Sequence, residues 1–219
     1  MTTCCETLQQ QNGASELFSR QAGRYARRFR RRGLERVQRH LLDGVRLEPV
    51  EGKTILDIAC GIGALHLSLL QEGAVQATGI DISGGMIDKA RELANEFGVS
   101  TRASYTVGDF VDRAGEVQEA DVTLLDKFVC CYEEIDTLVR VSTGKTKRIY
   151  AVSHPRENFM TRSIFKSQIA LAKLFGWKFH PFWHDWERLR LDIQRHGFEL
   201  IHSGVTPMWQ VLVFRRTKT

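Results

Sequence analysis

The sequence lacks any long hydrophobic run. Among its 219 residues no apolar stretch approaches the roughly 20 residues that a membrane-spanning helix needs. The first residues, Met1 to Glu6, also lack the basic and then apolar pattern of a secretory signal. We therefore expect a cytoplasmic protein without a membrane span.

The five cysteines lack the Cys-x-x-Cys spacing that is typical of zinc sites. Four of them form two adjacent pairs, Cys4–Cys5 and Cys130–Cys131. Four thiolates suit zinc or another soft ion, and the pairs would meet if the N-terminal tail folded over the rest of the chain. Cysteine is more often a small buried apolar residue, and adjacent cysteines point in different directions. We therefore predict no metal site, and a reducing compartment makes disulfides unexpected.

No internal repeat and no long linker divides the chain. With 42% hydrophobic and 26% charged residues it has the composition of a globular protein, and its length suits one domain with a full core. We predict a single domain over residues 1–219. Within it we expect a flexible polar tail (1–14), a helical cap (15–44) and an inserted lid (159–184). The lid is expected because a short connection between two strands needs neither the long helix nor the aromatic residues of this segment.

Positive charge is concentrated in one short segment. Between positions 20 and 39, nine arginines oppose a single acid, Glu35, so this segment has a net charge of +8 whereas the whole chain has +5. Three interpretations stay open: a solvated helix face, a clamp for a substrate carboxylate or phosphate, and a nucleic-acid surface, which we favour least. Arg28 and Arg32 are one helical turn apart and could bind one anionic group together, with Tyr25 facing inward.

Beyond Thr54, short apolar runs alternate with helical patterns, which indicates an α/β fold with a mostly parallel sheet. The helices before Thr54 form a helical preface to the sheet. The last two strands are joined by only five residues, 204–208, as antiparallel neighbours would be. The predicted strands are Thr54–Ile58, Gln76–Ile80, Ser104–Val107, Val122–Leu125, Arg148–Ser153, Glu199–Ser203 and Trp209–Arg215.

A turn of small residues follows the first strand, over residues 57–63. Turns of this kind let a ligand approach the backbone amides at the start of a helix. Asp81 follows the second strand about twenty residues later, where an acid can accept both hydroxyls of a ribose, and Asp109 follows the third. A dinucleotide is the competing ligand, but its third glycine would fall at His66. The three strand ends therefore predict one nucleotide-binding crevice.

These residues resemble the class I S-adenosylmethionine-dependent methyltransferases. The resemblance implies a Rossmann-like sheet, with Asp57, Gly61 and Gly63 at the methionine part of the cofactor S-adenosyl-L-methionine, Asp81 at its ribose and Asp109 at its adenine. Ala59 stands where the family usually has its first glycine. The implied cofactor-binding set is Asp57, Ala59, Gly61, Gly63, Asp81, Ile82, Met86, Gly108, Asp109, Phe110 and Asp126.

The loop after the fourth predicted strand, residues 126–132, is where the reacting groups are expected. It lacks the Asn/Asp-Pro-Pro-aromatic signature of the family's amino-base methyltransferases, which argues against a nucleobase amine as acceptor. We take Cys131 and Tyr132 in this loop, and His154 after the fifth strand, as catalytic candidates.

The segments 153–157 and 173–176 are distantly similar to magnesium-protoporphyrin O-methyltransferases. We therefore predict a methyltransferase for a small-molecule acceptor, hydrophobic and anionic, with Phe165 also in contact with it. A nucleic-acid partner is disfavoured. The alternatives are an RNA methyltransferase that uses the arginine helix as a phosphate rail, and a nonenzymatic S-adenosylmethionine-binding module.

Overall fold

A computed structural model describes residues 4–217. Its centre is a seven-stranded sheet in the order β3-β2-β1-β4-β5-β7-β6. The first five strands in this order are parallel, and β7 runs antiparallel between β5 and β6. The strands are β1 (Thr54–Ile58), β2 (Gln76–Asp81), β3 (Ala103–Val107), β4 (Ala120–Leu125), β5 (Thr146–Pro155), β6 (Phe198–Val205) and β7 (Trp209–Arg216). This confirms the predicted sheet and its closing hairpin.

Eight α-helices of the described residues cover the sheet. They are α1 (Cys4–Arg32), α2 (Arg36–Val45), α3 (Ala64–Gln71), α4 (Gly84–Glu96), α5 (Phe110–Arg113), α6 (Ile135–Gly144), α7 (Phe159–Leu174) and α8 (Trp186–Arg195). Short 3₁₀ turns occur at Ser100–Arg102, Ala114–Glu116 and Val129–Cys131. None of the helices in this part of the chain is long and apolar enough to cross a membrane.

The core consists of two layers, one on each face of the sheet. Successive strand residues enter opposite layers, as the alternation of side chains along a strand requires. In β1, Ile55 joins the layer under α2, α3 and α4, whereas Leu56 joins the layer under α6 and α8. Because both faces are covered there, the central strands β1 and β4 are buried at nearly every position, whereas the edge strand β3 has no fully buried residue.

The sheet order reverses direction at β1, whose neighbours are β2 on one side and β4 on the other. In open α/β sheets a crevice forms beyond the carboxyl ends of the strands at such a switch point. The glycine turn, Asp81 and the loop after β4 all lie at this edge. The topology therefore brings the sequence-predicted residues of three separate segments to one place.

The N-terminal segment differs from the prediction of a flexible tail at residues 1–14. The described part of that segment continues α1 back to Cys4, so the helix begins well before residue 15, where the helical cap was predicted to start. The side-chain amide of Gln10 donates to the carbonyl of His180 at 2.8 Å, and that of Gln11 donates to Asp109 at 3.2 Å. These distant partners order residues whose own composition favours no fixed structure. Gly33, with φ of 64°, separates α1 from α2.

We predict that Gly44→Ala destabilises the protein although glycine-to-alanine changes usually stabilise helices. A Cβ at Gly44 would lie 2.5 Å from Val213 and 2.7 Å from the ring of His202, where α2 packs on the sheet. Overpacking of this kind costs about 1–3 kcal/mol. Urea unfolding followed by circular dichroism measures the change.

The matched control is Gly23→Ala in α1, where the new Cβ meets only the tip of Arg27 at 3.7 Å. It should be neutral or gain up to about 1 kcal/mol from helix propensity. Equal stability of the two variants would contradict the close packing of α2 on β6 and β7.

Candidate functional site

A cavity of about 630 Å³ lies at the carboxyl edge of β1, β2 and β4. Its floor is the glycine turn, and its walls are the loops after β2, β3 and β4. Helix α1 and the segment from α7 to residue 182 close it from above. The predicted residues that line it are Tyr25, Arg28, Asp57, Ala59, Gly61, Asp81, Ile82, Met86, Gly108, Asp109, Phe110, Asp126, Cys131, Tyr132 and Phe165.

The turn between β1 and α3 has three residues in the left-handed region. Gly61 has φ of 54° and Gly63 has φ of 80°, while Ala59 has φ of 54°. A side chain at Gly63 would lie 2.8 Å from the ring of His66, so only glycine fits there. Ala59 holds a conformation that is strained for any residue with a Cβ, which is why the resembling family has glycine at that position.

Beneath the turn, Asp57 and His66 form a buried pair. Oδ2 of Asp57 and Nδ1 of His66 lie 2.7 Å apart, and Nε2 of His66 lies 3.0 Å from the hydroxyl of Tyr105. Burial raises the pKa of Asp57, and the hydrogen bond with His66 opposes that shift. This network fixes the carboxyl group of Asp57 at the wall of the cavity.

Asp81 connects β2 to the turn. One carboxylate oxygen accepts the amide of Gly61 at 2.7 Å, and the other accepts the amide of Ser83 at 2.8 Å. The hydroxyl of Ser83 in turn accepts the amide of Met86 and caps α4. Burial raises the pKa of Asp81 to about 6, although both amides favour the ionised form. Each oxygen has a further lone pair for a ligand in the cavity.

Asp109 lies across the cavity at the end of β3. It accepts the amide of Val111 at 2.7 Å, the hydroxyl of Tyr132 at 3.1 Å and the side-chain amide of Gln11. Burial raises its pKa. Burial and the neighbouring Asp109 also raise the pKa of Tyr132, so this hydroxyl stays protonated at neutral pH. Tyr132 therefore acts here as a hydrogen-bond donor.

A charged cluster occupies the cavity below α1, and two of its members, Glu35 and Lys127, were not among the predicted site residues. The carboxylate of Glu35 pairs with Arg28 at 2.7 Å and with Lys127 at 3.1 Å. Asp126 lies 3.8 Å from Lys127 and accepts the hydroxyl of Ser153 at 2.7 Å. Burial lowers the pKa of Lys127, but the two carboxylates outweigh it and the net shift is upward.

Two signals pointed to these missed residues. Glu35 is the only acid among the nine arginines of positions 20–39, and an isolated opposite charge marks a specific partner. Lys127 lies in the loop already identified after β4, and its φ of 55° is uncommon for a residue other than glycine. Strained backbone positions of this kind cluster at functional sites.

Three predicted residues do not reach the cavity. Arg32 is exposed one turn beyond Arg28, and Gly63 acts through the backbone of the turn. His154 lies within β5 and is buried. Its ring stacks on Trp186 at 5.0 Å, and its Nδ1 lies 2.9 Å from the carbonyl oxygen of Pro155. Burial lowers the pKa of His154 to about 4. The structure does not support its assignment as a catalytic base.

Cys130 and Cys131 both line the cavity, with their sulfur atoms 4.0 Å apart. The contact with Cys131 and burial raise the pKa of Cys130 well above its usual value. In the described part of the chain, no group of three or more His, Cys, Asp or Glu side chains could hold a metal ion. The side chains of Cys4 and Cys5 lie outside the described residues, so the question whether the two pairs meet, which the sequence leaves open, is not addressed by the structure.

Comparison with known proteins places the central part of the chain in a family. Residues 55–142 match the methyltransferase domain family. A ribosomal protein L11 methyltransferase of Enterobacter sp. (strain 638) is 37% identical over 101 residues, which are 46% of this chain and 32% of that protein. The same enzyme of Pectobacterium carotovorum is 48% identical over 61 residues, 28% of this chain and 20% of that protein. The chain thus spans a third or less of the length of these relatives.

Solved structures share the fold over more of the chain. A magnesium protoporphyrin IX methyltransferase from Synechocystis PCC 6803 superposes with a TM-score of 0.67 and 21% identity, over 83% of this chain and 82% of that one. An O-methyltransferase family protein from Burkholderia thailandensis has a TM-score of 0.66 and 15% identity, over 83% and 56% of the two chains. Residues 55–142 therefore form a methyltransferase domain, and the chain as a whole has the fold of these solved methyltransferases.

Proposed function

We propose that this enzyme methylates a small-molecule acceptor with an apolar body and an acidic group. The observation that carries the proposal is the closure of the crevice by α1. The rings of Phe18 and Phe179 meet at 5.9 Å, and Gln10 donates to the carbonyl of His180, so α1 contacts the segment on the far side. The enclosed volume of about 630 Å³ lies in the usual range for small-molecule sites.

The residues at the floor fit S-adenosylmethionine. Asp81 can accept two ribose hydroxyls with the lone pairs that the amides of Gly61 and Ser83 leave free. Asp109 can accept the adenine amine in place of the Gln11 amide, which already donates to the same carboxylate. Ile82, Met86 and Phe110 are apolar neighbours for the adenine ring. When bound, the cofactor supplies a methyl group activated by its sulfonium.

The acceptor would lie under α1 and α7, against the rings of Tyr25, Phe29 and Phe165. Arg28 and Lys127 supply cations to this part of the cavity, and an acidic group of the acceptor would replace Glu35 as the partner of Arg28. An ionised acid needs no general base to attack a methyl group. This agrees with the placement of His154 outside the cavity and with the raised pKa of Tyr132.

The remaining residues of the site would position the reactants rather than exchange protons. Methyl transfer depends mostly on alignment of the nucleophile with the methyl carbon. Cys131 and Tyr132 would shape the wall beside the acceptor, with Tyr132 fixed by its hydrogen bond to Asp109. The segment 159–184 is proposed as the lid, because its residues 176–182 contact α1 and exclude water.

The function is tested by supplying the purified protein with methyl-labelled S-adenosylmethionine and, separately, a small-molecule metabolite extract, total RNA and ribosomal proteins. We expect label in the small-molecule fraction, because α1 and the segment around Phe179 and His180 meet over the cavity. Transfer to RNA, together with binding that collapses as salt rises, would instead support the RNA methyltransferase. Transfer to a ribosomal protein would align the chain with its curated relatives.

For the cofactor, we predict that Asp81→Asn weakens S-adenosylmethionine binding by roughly 1.5–3 kcal/mol, the scale of a charged hydrogen bond. Since only the ionised carboxylate accepts both hydroxyls and its pKa is about 6, affinity should be full above pH 6 and fall as the pH drops through that value. Isothermal titration calorimetry across this range measures both effects. The affinity of the Asp81→Asn variant should depend less on pH than that of the wild type. The melting temperature of the variant checks that the turn remains folded.

For the acceptor, we predict that Arg28→Ala raises the KM for an acidic acceptor about tenfold or more, as expected for loss of a charge-assisted hydrogen bond. Arg32→Ala is the matched control, because it also removes a guanidinium group, one helical turn away on the exposed side of α1. Neither change should alter the dissociation constant of the cofactor. Equal effects of the two variants would show that bulk charge, rather than contact in the cavity, attracts the acceptor.

A further inference from the structure

The solvent face of α7 is apolar. Phe159 is 89% exposed and Leu174 is 76% exposed, and at 100° per residue they share one side of the helix with Met160 and Leu171. The patch continues past the end of the helix, where Phe175 (64% exposed) and Trp177 (56% exposed) stack at 6.0 Å. Ser163 and Ser167 separate the apolar residues at the start of the helix from those at its end. Single exposed apolar residues are ordinary, but several on one side of a helix mark an interaction surface. We call these six residues the α7 patch.

A row of cations lies beside the α7 patch. Arg162, Lys166 and Lys173 recur along one line of the helix next to Phe159. None of these three forms an ion pair with a carboxylate of residues 9–217, whereas Lys178 pairs with Glu16 at 3.7 Å. Between positions 158 and 184 the sequence has four lysines and arginines and no acid. The apolar residues of the patch are therefore flanked on one side of the helix by positive charge.

The opposite face of α7 belongs to the cavity. Phe165 and Ala172 are buried there, and Gln168 also lines the wall. The helix thus has apolar residues on two sides, one toward the cavity and one toward solvent, with the cations between them. A helix that is apolar on two sides needs a second apolar environment in addition to the core.

We propose that the α7 patch docks on the surface of an anionic lipid membrane. Apolar side chains that enter the acyl boundary, with lysines and arginines at the level of the headgroups, are the composition of an interfacial helix. A second copy of this chain is disfavoured as the occupant, because it would bring two segments of charge +4 face to face. An RNA partner would use the cations but leave Phe159 and Leu174 in water.

Docking in this way places the helix between the bilayer and the cavity. If the acceptor is apolar, as proposed above, it would reach the cavity from the lipid phase along α7. Entry of the acceptor from the lipid phase rests on the proposed function, whereas docking of α7 on the membrane does not. Membrane binding is therefore measured on the protein alone, without cofactor or acceptor.

The test is co-sedimentation of the full chain with phosphatidylcholine vesicles that contain, or lack, about a third of phosphatidylglycerol. We expect binding to the anionic vesicles that weakens as salt rises. The double variant Phe159→Ser with Leu174→Ser and the double variant Lys166→Glu with Lys173→Glu should each lower the partition coefficient about tenfold or more. All four positions are exposed, so the variants should fold normally. Lipids with brominated acyl chains should also quench the fluorescence of Trp177. The variant Trp177→Phe identifies this signal, because the quenching should be absent in it.

The matched control is Leu47→Ser with Val75→Ser, which removes two exposed apolar side chains at the other end of the sheet. It should bind vesicles as the wild type does. No binding to anionic vesicles, or equal binding by all variants, overturns the proposal. Self-association in the absence of lipid that is lost in Phe159→Ser with Leu174→Ser overturns it as well, since a second copy would then cover the patch.

Discussion

The site depends on one carboxylate. Asp81 joins the turn after β1 to the start of α4 because its two oxygens accept the amides of Gly61 and Ser83. A buried acid is costly unless its oxygens are hydrogen-bonded, and burial raises the pKa of Asp81 to about 6 although both amides favour the ionised form. Two strand ends and a helix cap are thus fixed relative to each other around a negative charge that faces the cavity. The left-handed turn can hold its shape because this acid binds it from the side.

The arginine segment divides between two roles that composition alone does not separate. Arg30 pairs with Glu96 of α4 and holds α1 against the body of the protein. Arg28 faces the cavity and meets Glu35, which in turn contacts Lys127 after β4. One helix therefore carries both an arginine that lines the cavity and arginines that face outward. Because Glu35 neutralises part of the positive charge at the cavity, the net charge of +8 over positions 20–39 lies mostly on the outer side of the helices.

Sequence reasoning predicted the sheet and the convergence of three acids at its edge because both depend on local pattern. Parallel strands end at one edge, so the acids that follow β1, β2 and β3 must converge whatever else the chain does. The rotation of α1 is not local, and it decides that Arg28 rather than Arg32 reaches the cavity. His154 was wrongly placed because Trp186, on a later helix, covers its ring. Residues 4–14 are ordered by partners as distant in sequence as His180.

Helix α7 shows how one element can connect the chemistry of a site to its surroundings. A helix of the lid need only be apolar on its inner side, where Phe165 contacts the cavity. The exposed Phe159 and Leu174 do nothing for that contact, and leaving them in water is unfavourable by the hydrophobic effect. Their presence beside cations that have no carboxylate partner within residues 9–217 is explained when the outer side has its own apolar environment. A lid that rests on lipid would also open into the phase where an apolar acceptor is most soluble, so docking and substrate access would use the same residues.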